Sequence, residues 1–149
     1  MKASARDDRL SGKRPLGRVA TLALVPTAAT ALVLIPMLLR EPSTTEAVPP
    51  AWLGVLLLAP PVTAYLASLR FGDGLHLTSY LLIGLPQLPL IMLLSTAAVW
   101  FDVQRGHLLA GSGEEAMSYG VGTAAAFVAG TILALLVAAA ARLGARRAK

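Results

Sequence analysis

The chain contains no cysteine. Disulfides, thiolate nucleophiles and cysteine-held metal ions are thereby excluded. Charge is scarce as well: 14% of residues are Asp, Glu, Lys or Arg, where soluble domains carry about 25%. The shortage is concentrated in four stretches, 19–39, 51–69, 77–100 and 118–141, which hold no acid, no base and no histidine. Proton- or ion-coupled transport ordinarily relies on an ionisable group inside the membrane, and none of these stretches supplies one. Only two histidines occur, His76 and His107, in different connectors.

What is present is apolar length. Hydrophobic residues make up 56% of the 149. A helix needs about 20 predominantly apolar residues to cross hydrocarbon, and each charge-free stretch meets that length. The expected fold is all-α: an integral membrane protein, an up-down bundle of four transmembrane helices. The expected domain plan is a basic, disordered tail over 1–18, one membrane domain over 19–141 and a second basic tail over 142–149. The first apolar run is longer than the 7–15 residues of a signal-peptide core, and Thr45-Glu46-Ala47 is a poor cleavage site. The first span is therefore expected to be retained.

The formal charge of +5 could suggest nucleic acid, but its distribution points to a membrane. Lys2, Arg6, Arg9, Lys13, Arg14 and Arg18 precede the first span, and Arg142, Arg146, Arg147 and Lys149 follow the last. The connectors 40–50, 70–76 and 101–117 hold one arginine each. Basic residues beside spans stay on the cytoplasmic side, so both termini are expected there. The basic tails are expected to meet anionic lipid headgroups, and no nucleic-acid partner is expected. Arginine over lysine and abundant alanine suggest the plasma membrane of a high-GC bacterium. Trp52 and Trp100 sit at span ends facing the other side, where indole rings favour the interface.

Six of the ten prolines, Pro26, Pro36, Pro60, Pro61, Pro86 and Pro89, lie inside the first three spans. Each removes an amide donor and frees a carbonyl one turn earlier, which in hydrocarbon needs another donor. Pro86 frees the carbonyl of Leu82, and Pro89 that of Leu85. Gln87 lies between them, and its side-chain amide is expected to satisfy a freed carbonyl, locally or on a neighbouring helix. Helical spacing puts Gln87 on one face with Tyr80, Gly84, Ile91 and Leu94, a face expected to point inward. Two readings stay open. Broken helices expose carbonyls to a solute in transporters, which would make Gln87, Tyr80 and Thr63 pathway contacts. The same residues also suit a kinked helix with a satisfied amide.

The fourth span has no proline but a ladder of small residues, Ser118, Gly122, Ala126, Gly130, Ala134 and Ala138, each four apart. Such spacing lets another backbone approach closely, within the chain or on a partner. Ser112 and Glu115 match a capping box, so the fourth helix is expected to start near Gly113.

Asp73 and His76 are separated by the membrane from Asp102 and His107 in this topology, which argues against a two-carboxylate or metal centre. The turn Phe71-Gly72-Asp73-Gly74 differs in order from the Gly-x-Gly-Asp of intramembrane aspartyl proteases. The membrane glutamate of small multidrug exporters, the cysteines of quinone-reducing thiol enzymes and the embedded aspartate pair of lipoprotein signal peptidases are absent. No catalytic residue, metal or cofactor is expected. The expected function is that of a non-enzymatic accessory or assembly subunit binding other membrane proteins. The alternative is a small homo-oligomeric transporter or channel lined by the proline-broken helices.

Overall fold

Apolar runs hold a helix best where nothing competes for backbone hydrogen bonds, and all four charge-free stretches are helical. The computed structural model describes residues 13–39, 50–72 and 74–148. Within these lie five helices: α1 (Lys13–Leu39), α2 (Pro50–Phe71), α3 (Leu77–Gly84), α4 (Gln87–Gln104) and α5 (Gly113–Arg147). Four stretches, Gly17–Leu39, Ala51–Phe71, Leu77–Gln104 and Gly113–Arg147, are long and apolar enough to cross a membrane.

The helices overrun the expected spans at the basic ends. Lys13, Arg14 and Arg18 belong to α1 rather than to a tail, and Arg142, Arg146 and Arg147 form the last turns of α5. Cations at the end of α5 complement its dipole. The tail over 1–12, most of the first connector (40–49), Asp73 and Lys149 lie outside the described residues.

Prolines decide where the third stretch divides. Pro26 and Pro36 sit within α1, and Pro60 and Pro61 within α2, without ending either helix. Pro86 acts differently, as the residue capping the start of α4. Leu85 N–H still donates to Leu81 O at 3.0 Å, and Leu88 N–H then donates to Leu85 O at 3.2 Å. That tightened turn satisfies the carbonyl left free by Pro89, so Gln87 is not the group that does so. Pro89 itself falls in the first turn of α4, whose N–H groups have no partner within that helix, so a proline is tolerated there.

At the start of α5, Ser112 Oγ accepts from Glu115 N–H at 3.1 Å. The Glu115 carboxylate reaches back to Gly111 N–H at 2.6 Å, one residue before the usual capping-box position. Glu114 and Glu115 also meet the positive end of the helix dipole.

α1 and α5 each pack against α2 on one side and against α3–α4 on the other. Gly84 faces the Ala134 carbonyl, Gly130 faces Leu88, and Gly122 faces Ser95, so α5 runs antiparallel to α3–α4. Leu22, Ile83, Leu133, Val137 and Ala141 fill the interior. Large apolar side chains cover the outside, among them Leu24, Leu32, Leu58, Leu66, Leu93 and Leu135. So continuous an apolar exterior is a liability in water and suits a hydrocarbon solvent.

The small-residue ladder meets α3–α4 at Gly122, Gly130 and Ala134, but it is not evenly buried. At 3.6 residues per turn, each four-residue step advances about 40° beyond a full turn. Ala126, Gly130 and Ala138 are buried, whereas Ser118, Gly122 and Ala134 are half-buried. The buried stripe of α5 follows the helical period instead, through Ala126, Gly130, Leu133, Val137, Ala141 and Gly144.

Candidate functional site

The interruption between α3 and α4 places a polar side chain at the centre of the molecule. Gln87 opens α4 and is fully buried, as is Thr30 on α1. Their side chains lie 2.5 Å apart, Thr30 Oγ1 to Gln87 Oε1. Thr30 Oγ1 is also 3.0 Å from the carbonyl of Pro26. A hydroxyl has one proton and cannot donate to both. A separation of 2.5 Å fits an O–H···O bond and is too short for N–H···O, so Thr30 donates to Gln87 Oε1. Gln87 Nε2 is then buried without a hydrogen-bond partner.

Close packing holds this node shut. A Cβ on Gly84 would collide with the Ala134 carbonyl, and one on Gly130 would sit 3.0 Å from Leu88 Cα. Backbone of α5 therefore lies directly against both sides of the helix break. Tyr80, Ile83, Gly84, Gln87 and Ile91 form the buried face of α3 and α4, with Leu94 half-buried beyond them.

Gln87, Tyr80 and Thr63 do not form one site. Tyr80 is two turns from Gln87, and its hydroxyl donates to Gly72 O at 3.2 Å. Thr63 lies on α2 and donates to Pro60 O of its own helix at 2.9 Å. α2 stands across the molecule from α3–α4, with α1 and α5 between them. Of the edge residues, Asp102 contributes its carbonyl to His107 N–H at 2.9 Å, closing the turn after α4.

Sequence reasoning placed Gly84 on the inward face but did not single out Thr30, Ser68 or Gly144. Thr30 has a local signature, a threonine four residues after a proline, but Thr21, Thr27, Thr96 and Thr131 donate to the carbonyl four residues earlier. Ser68, fully buried on α2 with no hydrogen-bond partner for its Oγ, lies against Gly72 and Gly144.

Two of the clefts among the described residues open at the surface. One, of about 260 Å³, is apolar and lies between Leu34, Met37 and Leu38 of α1 and Ile91, Leu94 and Ser95 of α4. The other, of about 220 Å³, lies where Gly72, Gly74 and Leu75 meet the end of α5 and is flanked by Arg142 and Arg146. Neither is lined by Gln87 or Thr30. No family model, curated protein or solved structure matches the chain.

Proposed function

We propose that the chain is a multi-pass membrane protein with both termini on the cytoplasmic side, acting as an accessory or assembly subunit for other membrane proteins. The observation that carries this reading is where its polarity goes. Thr30 and Gln87 are sealed inside and bonded to each other, while the surface along the spans is apolar. A protein built this way has its outer face to offer, and in hydrocarbon that face meets lipid and other helices. The plasma membrane of a high-GC bacterium is the setting that composition favours. The basic ends then lie among anionic headgroups.

Gentle extraction from the native membrane, followed by determination of mass and composition, tests the reading. The expected result is a second protein in fixed proportion. A homo-oligomer or a bare monomer counts against it.

One observation favours a second reading, a homo-oligomeric transporter or channel: the helix break beside a buried amide with an unpartnered end. Such breaks line solute sites in transporters. On this reading Gln87→Leu changes flux while the protein stays folded. On the first it changes only stability.

A further inference from the structure

The cleft between Gly72, Gly74, Leu75 and the end of α5 has the chemistry of an anion seat. Arg142 and Arg146 stand one turn apart on α5, so their guanidinium groups reach the same side of the helix. Both are exposed, and neither makes an ion pair or hydrogen bond with a described residue. The floor is narrow and fixed: a Cβ on Gly72 would sit 2.9 Å from Ala145 Cβ, and Tyr80 holds the Gly72 carbonyl from the side. Gly74 turns the chain at φ 77° and puts no side chain into the opening. Leu75 and Leu77 make the remaining wall apolar. Over 70–76 and 142–147 the sequence sets four arginines against one aspartate, Asp73.

We infer that this cleft seats one phosphate group, and that an anionic phospholipid carries it. Two guanidinium forks bind phosphate oxygens through paired, charge-assisted hydrogen bonds. The apolar wall beside them suits the start of an acyl chain, which an inorganic ion would leave uncovered. This goes beyond diffuse attraction of basic ends to a charged surface, because it requires a shaped pocket and a defined stoichiometry. It rests on the membrane placement proposed above, which brings this end of the molecule to headgroup level. It does not depend on the accessory-subunit role.

The test uses the full chain in neutral detergent, so that lipid binding is read independently of any partner protein. Dihexanoyl-phosphatidylglycerol is titrated and counted by native mass spectrometry, with dihexanoyl-phosphatidylcholine as the zwitterionic comparison. The expected result is one phosphatidylglycerol bound, weakened about tenfold or more by Arg142→Gln with Arg146→Gln. Leu77→Trp keeps every charge but fills the cleft, and is expected to weaken binding as well. Arg147→Gln, one residue outside the cleft lining, is expected to leave it unchanged. Thermal unfolding of each variant without lipid separates lost binding from lost fold. Displacement by inorganic phosphate at concentrations comparable to the lipid would overturn the lipid source and keep the phosphate seat. Equal losses in Arg147→Gln and the cleft variants, or no loss in Leu77→Trp, would overturn the seat itself.

Discussion

Thr30 and Gln87 are 57 residues apart in sequence and meet side chain to side chain at 2.5 Å. The contact joins α1 to the first residue of α4, immediately after the helix break. It therefore ties the weakest point of the third stretch to a helix that is continuous past its own Pro26. The Thr30 hydroxyl supplies the proton between the two helices, and Gln87 Oε1 accepts it.

That arrangement sets an unusual order of variant stabilities. Gln87→Leu removes one interhelical hydrogen bond, worth about 0.6 kcal/mol on average and up to about 1.7 between membrane helices. It also removes the unpartnered end of the amide, which offsets part of the loss. Gln87→Asn keeps the amide but shortens its reach, leaving two buried polar ends unpaired at about 1–3 kcal/mol each. Gln87→Asn is therefore expected to be the less stable variant, measured by reversible unfolding in mixed micelles. The opposite order would mean that the amide is hydrated rather than sealed.

Glycine substitutions separate close packing from helix propensity. Gly84→Ala drives a Cβ into the Ala134 carbonyl, a backbone contact that no side-chain rotation relieves. The expected cost is about 1–3 kcal/mol, the range for overpacking. Gly120→Ala meets nothing within 4 Å and is expected to be neutral or to stabilise α5 by up to about 1 kcal/mol. Equal effects of the two in the same unfolding assay would remove the case for close α3–α5 contact.

The helices were legible because hydrocarbon thickness sets a length that a charge-free run either meets or misses. A disturbance of the third stretch was legible from Pro86 and Pro89, though a break and a kink both stayed open, and Pro26, Pro36, Pro60 and Pro61 end no helix. The remedy was not legible: a one-turn tightening through Leu88 N–H satisfies Leu85 O, and composition carries no mark of it. Thr30 was hidden because threonines that bond their own helix are common in these spans. The small-residue ladder marked the close approach of α3–α4 at Gly122, Gly130 and Ala134 but not the whole buried stripe. Steps of four drift around a helix of 3.6 residues per turn, so Leu133, Val137 and Gly144 complete the buried stripe that the ladder starts. Gly84 was legible from its spacing to Tyr80 and Gln87, whereas Gly144 lay outside the four-residue pattern and only tertiary contact marks it.

The start of α5 offers a local test outside the spans. Ser112 Oγ is the acceptor for Glu115 N–H, so Ser112→Ala is expected to cost about 1 kcal/mol. Glu115→Gln keeps a side-chain acceptor for Gly111 N–H but loses the charge at the dipole, worth about 0.3–1 kcal/mol at low salt. Added salt should narrow the gap between Glu115→Gln and the parent, and leave the Ser112→Ala cost unchanged. Amide hydrogen exchange over 113–117 reads both effects at the site.

The absence of cysteine makes orientation directly measurable, since any introduced thiol is the only one in the chain. Eleven basic residues lie in the two ends and the 70–76 turn, against two, Arg40 and Arg105, in the opposite connectors. Lysine and arginine near span ends determine which side is retained, and acidic residues contribute little. So strong a bias predicts one orientation rather than a mixture. Leu109, exposed in the turn before α5, and Ala148, exposed just past its end, mark the two sides. A membrane-impermeant maleimide applied to intact cells is expected to label Leu109→Cys and to reach Ala148→Cys only after the membrane is opened. The reverse pattern would invert the proposed topology and place Arg142 and Arg146 in the other leaflet. Labelling of both in intact cells would mean that the basic ends do not hold the chain in a single orientation.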